Sequence, residues 1–200
     1  MKAIIVILFL SIILSSCSLS PIKTAYVSTY TITNHVKKIG RSRHALSHKT
    51  LFVTEPTASP GYGSSQMIYE ITPYQLEPFS DHAWVAPPAE LLLPLIANQL
   101  RATHYFHAVV TSPFVGGTDY QLSTRLLVLQ QEFLRPQSVV RLEMEVTLIN
   151  TVTGQVVTNR VFETVVPCAE NNPYSGVMAT NLAAHMIVNK IARFVVRNVR

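Results

Sequence analysis

The sequence has only two cysteines, Cys17 and Cys168, among its 200 residues, so it lacks the disulfide framework of small secreted domains. It also lacks an apolar run of the about 20 residues that a membrane-spanning helix needs. Acidic residues are scarce, and all eleven lie between Glu55 and Glu170. These absences exclude a disulfide-stabilised mini-protein and a protein built of spanning helices. The chain is long enough for one domain with its own core.

A short apolar run lies near the start of the chain. Residues 3–14 are apolar except for Ser11, which matches the hydrophobic region of a secretory signal. The run ends in "LSSC" (14–17), which resembles the bacterial lipobox: a branched apolar residue, two small residues and a cysteine. The resemblance implies cleavage before Cys17, two acyl chains such as palmitate at its thiol and a third on the new amine, which together anchor a protein stably. The alternative is a plain signal peptide with an incidental cysteine.

The lipobox divides the chain into a signal peptide (1–16), a lipidated tether (17–23) and one domain (24–200). Ser18 follows the lipidated cysteine, where Asp usually retains such lipoproteins at the inner membrane. Serine therefore implies export to the periplasmic face of the outer membrane. If Cys17 is lipidated, Cys168 has no disulfide partner and is most simply a small buried residue.

Positive charge is unevenly distributed along the chain, whose net charge is +5. Six cations lie between Lys23 and Lys49, a segment without any acid, and the C-terminal segment adds Lys190, Arg193, Arg197 and Arg200. The basic N-terminal segment is either a solvated loop or a surface that contacts anionic lipid headgroups near the anchor. Nucleic acid is not expected as a partner, because an exported lipoprotein does not meet it.

Two patterns of apolar residues predict the secondary structure. Alternation with β-branched and aromatic residues indicates strands, and spacings of three or four indicate amphipathic helices. Strands are predicted at 24–33, 49–54, 66–71, 105–112, 119–134, 138–150 and 156–166, and helices at 87–103 and 174–197. Residues 55–65, with two prolines and two glycines, are predicted to form a loop.

The order β-β-β-α-β-β-β-β-α predicts a single α+β domain. The strands at 138–150 and 156–166 flank the turn "TVTGQ" and are expected to form an antiparallel hairpin. Amphipathic helices must cover one face of a sheet. We therefore predict a mostly antiparallel sheet with two helices packed on one face, and we expect Pro94 to kink the first helix or to shift its start.

No catalytic motif is present: the sequence has no G-x-S-x-G, no phosphate-binding Gly-rich loop, no C-x-x-C and no H-E-x-x-H. Asp81 and His82 are adjacent, so their side chains rarely converge on one serine. His104 and His107 lack a third ligand nearby, and a zinc site needs three or four. We therefore predict no catalytic residue, no cofactor and no metal site, and a protein that is not an enzyme.

Two aromatic residues are predicted as partner contacts. Trp84 precedes the first helix and is either a core anchor or a contact for a partner protein or acyl chain, since Trp is enriched at interface hot spots. Tyr62 lies in the loop at 55–65, which either serves a partner or only connects two strands. The predicted site residues are therefore Cys17 for lipidation and Trp84 and Tyr62 for partner contacts.

Several motifs follow the lipobox in a fixed order along the chain. They are "WVAPPAELL" (84–92), "FHAVV" (106–110), "DYQLSTRLLVLQQEF" (119–133), "NTVTGQVVTNRVF" (150–162) and the terminal amphipathic helix. Each motif is weak alone, but their order and spacing together are fairly specific. Over about Tyr30 to Val195 they resemble those of the ABC-type transport auxiliary lipoproteins, also called paraquat-inducible-type lipoproteins.

This resemblance implies an outer-membrane lipoprotein that faces the periplasm and acts as a docking or structural subunit. Its partner would be the substrate-binding subunit, carrying mammalian-cell-entry (MCE) domains, of an ABC transporter that moves phospholipids or other hydrophobic molecules between the two membranes. A ring of several copies is implied, and no catalytic residues are. Two alternatives remain: an assembly lipoprotein of a lipopolysaccharide or secretion channel, and a periplasmic lipid-binding carrier with its own apolar cavity.

Overall fold

The structure is a computed structural model that describes residues 26–33, 47–114 and 116–199. The described residues form nine strands and two helices. These are β1 (Ser28–Tyr30), β2 (Thr50–Val53), β3 (Thr57–Ala58), β4 (Gln66–Glu70), β5 (Leu76–Trp84), α1 (Pro88–Ala102), β6 (Ala108–Thr111), β7 (Tyr120–Glu132), β8 (Val139–Asn150), β9 (Gln155–Pro167) and α2 (Pro173–Asn198).

The strands form one mixed sheet whose centre is β7. The long strands β7, β8 and β9 pair in antiparallel fashion, and β9 is the outermost of the described strands on that side. On its other side β7 pairs in parallel with three short strands in succession, β2, β3 and β4. Beyond them, β6 pairs in parallel with β2, β5 pairs antiparallel with β4, and β1 pairs in parallel with β5. The long ladders are thus antiparallel, as predicted.

Both helices cover the same face of the sheet. α2 packs over β8 and β9, and α1 packs against α2 and β6. Because side chains alternate between the faces of a strand, β7 and β8 each send a largely apolar row toward the helices. Fully buried members of this core include Leu122 and Leu126 of β7, Leu142, Met144 and Leu148 of β8, Leu92 and Leu100 of α1, and Ile187 and Ile191 of α2. The predicted α+β fold with two helices on one face is confirmed.

The structure adds two strands that the sequence patterns did not predict. β5 contains Pro78, which removes a backbone donor and argues against a strand. Among the described strands, β1 pairs only with His82–Trp84, so the part of β5 around Pro78 is a sheet edge, where proline is tolerated. β3 lies within the predicted loop at 55–65 and pairs with only two residues of β7.

Pro94 lies inside α1, which runs unbroken from Pro88 to Ala102. Proline removes the hydrogen bond to the carbonyl four residues earlier, here that of Glu90. Pro94 is on the exposed side of α1, so water can satisfy that carbonyl. Pro94 therefore does not displace the start of α1, which lies at Pro88, within one residue of the predicted position.

The predicted hairpin is confirmed by the four-residue turn Thr151–Gly154 between β8 and β9. Asn150 Oδ1 accepts hydrogen bonds from the backbone N–H groups of Val152 and Thr153, both at 3.0 Å. Gly154 has a φ of 70°, a conformation that glycine adopts without strain.

The helix α2 spans the molecule between two ends. At its beginning, the Tyr174 ring lies 6.2 Å from the Tyr30 ring of β1. At its finish, Tyr105 Oη donates to the carbonyl of Val199 at 3.3 Å. We call these the entry end, where the first described strand β1 meets α2, and the far end. At 1.5 Å per helical residue, Tyr174 and Arg197 are about 35 Å apart.

Candidate docking surfaces

The predicted lipidation site, Cys17, and the tether to residue 23 lie outside the described residues, so lipidation stays a prediction. The described residues begin at Tyr26, four residues before Tyr30, whose ring lies beside that of Tyr174 at the entry end. None of the helices among the described residues is long and apolar enough to cross a membrane.

Trp84 is the last residue of β5 and only 4% exposed, within the hydrophobic core. With Met67 and Leu129 it lines a cavity of about 10 Å³, which is room for about one water molecule. This position fits the core-anchor interpretation. A contact between Trp84 and a partner stays a prediction that would require the residues around it to move.

Tyr62 is also buried, and its hydroxyl donates to Gln130 Oε1 at 2.5 Å. Gln130 Nε2 donates in turn to Glu70 Oε2 at 2.7 Å and to Glu132 Oε1 at 3.2 Å. Burial, followed by the nearby charge of Glu70, raises the pKa of Tyr62 to about 12, so its phenol stays a protonated donor. In this position Tyr62 holds its loop against the sheet, and its predicted partner contact stays untested.

The candidate acid–base residues do not form a catalytic arrangement. His82 Nδ1 lies 2.7 Å from Asp81 Oδ1, and Ser80 Oγ lies 3.5 Å from the same carboxylate oxygen. The serine therefore faces the acid and not the imidazole that would have to activate it. Within the described residues, no group of three or more His, Cys, Asp or Glu side chains could hold a metal ion.

Cys168 is a free cysteine, 1% exposed, just after β9. Gln131 Nε2 lies 3.5 Å from its sulfur. Burial raises the pKa of the Cys168 thiol, so it stays protonated and unreactive, as expected of a small buried residue.

The outer side of α2 exposes a row of large apolar side chains near the entry end. They recur at every fourth position, which places them on one face of the helix. Their exposed fractions run from 59% at Tyr174 and Met178 through 52% at Leu182 to 40% at Met186. We call these four residues the apolar stripe. A contiguous exposed apolar surface of this kind is typical of contacts with proteins or membranes.

A groove of about 600 Å³ lies between β9 and the far end of α2. Its strand side is formed by four consecutive residues, 160–163, so it runs along the outer edge of β9 and not over one face. Its helix side carries residues at spacings of three and four, which share one face of α2. At the junction the rings of Phe162 and Phe194 meet edge to face, with centroids 5.3 Å apart. The helix side comprises Lys190, Arg193, Phe194, Arg197 and Asn198.

Positive side chains dominate this groove, which we call the basic groove. Lys190 Nζ donates to the carbonyl of Glu163 at 2.7 Å, and the Arg160 guanidinium lies 5.3 Å above the Phe162 ring. Among the described residues, no carboxylate lies within 4.0 Å of the groove's cations, which are Arg160, Lys190, Arg193 and Arg197.

The carboxylate of Glu163 does not neutralise the basic groove. It forms an ion pair with Arg141, whose Nε also contacts Glu132 Oε1 at 2.6 Å. Arg141 lies on β8, so this pair sits on the strand side away from α2. The cations of the basic groove are therefore not ion-paired with any described carboxylate.

The sequence of this chain matches that of a known protein family. Residues 30–192 match the family described as the ABC-type transport auxiliary lipoprotein component. The chain belongs to this family. The family is one of transport auxiliary components and not of enzymes, which agrees with the arrangement of Ser80, Asp81 and His82. No curated protein matches the sequence.

Solved structures share the fold of this auxiliary lipoprotein. Protein XCC0632 from Xanthomonas campestris is 16% identical with a TM-score of 0.76, and the alignment covers 86% of this chain and 96% of that one. The hypothetical protein CT253 from Chlamydia trachomatis is 7% identical with a TM-score of 0.54, over 76% of this chain and 98% of that one. At these identities the likeness shows the fold alone.

Sequence patterns missed both surfaces of α2. They identified the C-terminal cations but not their place in the fold, where Lys190 turns toward β9. The available signal was the uncharged run 173–189, which has apolar residues on both sides of the helix. Arg200 lies outside the described residues.

Proposed function

We propose that this auxiliary lipoprotein is held at the periplasmic face of the outer membrane by acyl chains on Cys17. There it docks the MCE-domain subunit of an ABC transport system that moves phospholipids or other hydrophobic molecules across the periplasm. Its role is structural, because it contributes surfaces for recognition and does not catalyse a reaction.

The observation that carries the docking role is the outer side of α2. A completed core leaves the apolar stripe uncovered at one end of this helix and the basic groove at the other. Apolar contacts supply affinity at protein interfaces, and charge complementarity supplies orientation and specificity. A subunit that only docks needs these two properties.

The lipid-carrier alternative receives less support. A carrier must enclose an acyl chain, whereas the cavity beside Trp84 measures about 10 Å³. The basic groove is larger, but it is open and mostly polar. The proposal also includes a ring of several copies, in which the apolar stripe offers contact area.

The test is co-purification of the full chain from membranes in non-ionic detergent after mild cross-linking, with identification of the bound proteins by mass spectrometry. We expect an MCE-domain protein with the natural chain and its loss with Cys17→Ala, which has no thiol to acylate. Cys168→Ala is the matched control, because it also removes one cysteine but leaves the anchor. Recovery of a β-barrel or secretin in place of the MCE protein would favour the assembly alternative and contradict the proposal.

A further inference from the structure

We infer that the basic groove binds an extended acidic segment of a partner protein, laid along the outer edge of β9. This inference rests on the proposed docking function. It assigns a partner of defined chemistry to the far end of the molecule.

The cations on the helix side form a row and do not converge on one point. Lys190, Arg193 and Arg197 follow one another over about 10 Å of helix axis. An extended chain advances about 3.3 Å per residue, so acids at alternate positions of a five-residue segment span about 13 Å. Such a segment can place one carboxylate near each cation, whereas a single phosphate group reaches only neighbouring ones.

The edge of β9 offers backbone groups to the same segment. The carbonyl of Glu163 accepts from Lys190 and therefore points away from β8. In an antiparallel ladder the N–H and C=O of one residue point the same way, and every second residue repeats this direction. The N–H groups of Val161 and Glu163 consequently face the groove. Within the described residues β9 pairs only with β8, so this edge can accept a further strand.

Lys190 has a second role at this edge. By holding the Glu163 carbonyl it partly blocks unselective strand pairing, which edge lysines commonly prevent. An acidic segment can draw the ammonium group to its own carboxylate and free that carbonyl. A neutral or basic segment cannot, so the arrangement selects for acidic partners.

The position of the groove favours a protein over a bilayer. Its helix side runs from Lys190 to Arg197, about 24 to 35 Å along α2 from Tyr174 at the entry end. It is also concave, bounded by β9 on one side and α2 on the other, and a flat membrane surface does not enter such a space. A narrow extended chain does.

The test uses the full chain in non-ionic detergent and a fluorescent nine-residue peptide in which Glu alternates with Thr. Binding is measured by anisotropy against the same peptide with Gln in place of Glu. We expect the acidic peptide to bind, the Gln peptide not to bind, and added salt to weaken binding. The variant R193Q/R197Q should bind at least about tenfold more weakly, because it loses two charged partners in the groove. The matched control R125Q/R135Q removes two exposed arginines elsewhere and should change binding less than about twofold.

Hydrogen exchange adds a structural readout. Bound acidic peptide should slow exchange of the Val161 and Glu163 amides. Equal binding by R193Q/R197Q and the natural chain would overturn the inference, as would unchanged exchange at both amides. Binding of phosphatidylglycerol vesicles that depends on Arg193 and Arg197, without peptide binding, would overturn it in favour of a membrane.

The same two double variants separate this inference from the proposed function. If R193Q/R197Q still co-purifies with the MCE-domain protein as well as R125Q/R135Q does, the groove is not the docking surface, although the docking function stands. If the natural chain itself recovers no MCE-domain protein, the proposed function fails, whatever the peptide result.

Discussion

Residues 173–189 of α2 carry no charged side chain, whereas residues 190–198 carry Lys190, Arg193 and Arg197. The inner side of the helix shows no such change. Ile187 in the first part and Ile191 in the second are both completely buried against the sheet. The inner side of this continuous helix is thus apolar throughout. Its outer side is uncharged in the first part and basic in the second.

The difference separates what the helix does for the fold from what it does for docking. A buried apolar residue is required wherever α2 meets the sheet, so the core dictates the inner side along the whole length. The outer side is free of that requirement. It presents the apolar stripe near the entry end and the basic groove at the far end, which gives the molecule two distinct surfaces for contact.

The largest effects are expected from substitutions that test whether both parts of α2 pack equally tightly against the sheet. Ile187→Ala and Ile191→Ala should each lower the free energy of unfolding by about 2–5 kcal/mol, since each leaves a cavity in the core. Leu182→Ala, on the exposed apolar stripe, should stay within about 0.5 kcal/mol. Urea unfolding of the three variants measures this. A small effect at either isoleucine would show that one part of α2 packs loosely.

A smaller effect should distinguish two cations of the basic groove. Lys190→Met removes the hydrogen bonds to the Glu163 carbonyl and to Thr164 Oγ1, so we expect a loss of about 1 kcal/mol in unfolding free energy. In the described part of the chain, Arg193 bonds only to the carbonyl of Asn189, one turn earlier in its own helix. Arg193→Met should therefore be neutral within about 0.5 kcal/mol. Thermal unfolding compares them. Equal losses would mean that Lys190 contributes nothing through β9.

The smallest effect concerns a carboxylate at the far end. Hydrogen bonds from the Thr50 backbone N–H (2.7 Å) and hydroxyl (2.9 Å), with Lys49 nearby, lower the pKa of Asp119. A lowered pKa in the folded state adds stability above the unfolded value of about 3.9, and this is lost as pH falls through the folded value.

Asp119→Asn should therefore flatten the decline in stability between about pH 5 and pH 3. Denaturant midpoints measured across this range test the expectation. A decline as steep as that of the natural chain would contradict it and assign the acid sensitivity to other carboxylates.

Much of the fold followed from local patterns. Alternation of apolar and polar residues in β8 and the turn that contains Gly154 predicted the hairpin. Apolar spacing predicted both helices. These signals arise among residues that are close in sequence. β5 escaped prediction because Pro78 is acceptable only at a sheet edge, and whether a strand is an edge depends on its neighbours. β3 escaped because two residues paired with β7 leave no periodic signal.

The candidate site divides in the same way. The motif ending at Cys17 that resembles a lipobox is contiguous, so the lipidation site could be proposed without a structure. Trp84 and Tyr62 were ambiguous, because an aromatic residue beside a loop is equally compatible with the core and the surface. The basic groove could not be predicted, since Arg160 and Arg193 approach each other only when α2 packs beside β9.

The order of residues along the chain thus determined its signal-like beginning, its β-hairpin, its helices and its family, all of which depend on near neighbours or on motif spacing. Packing alone placed the cations of α2 along the edge of β9. The physical reason is that periodicity assigns a side chain to a face of its own helix or strand. What that face meets depends on elements distant in sequence.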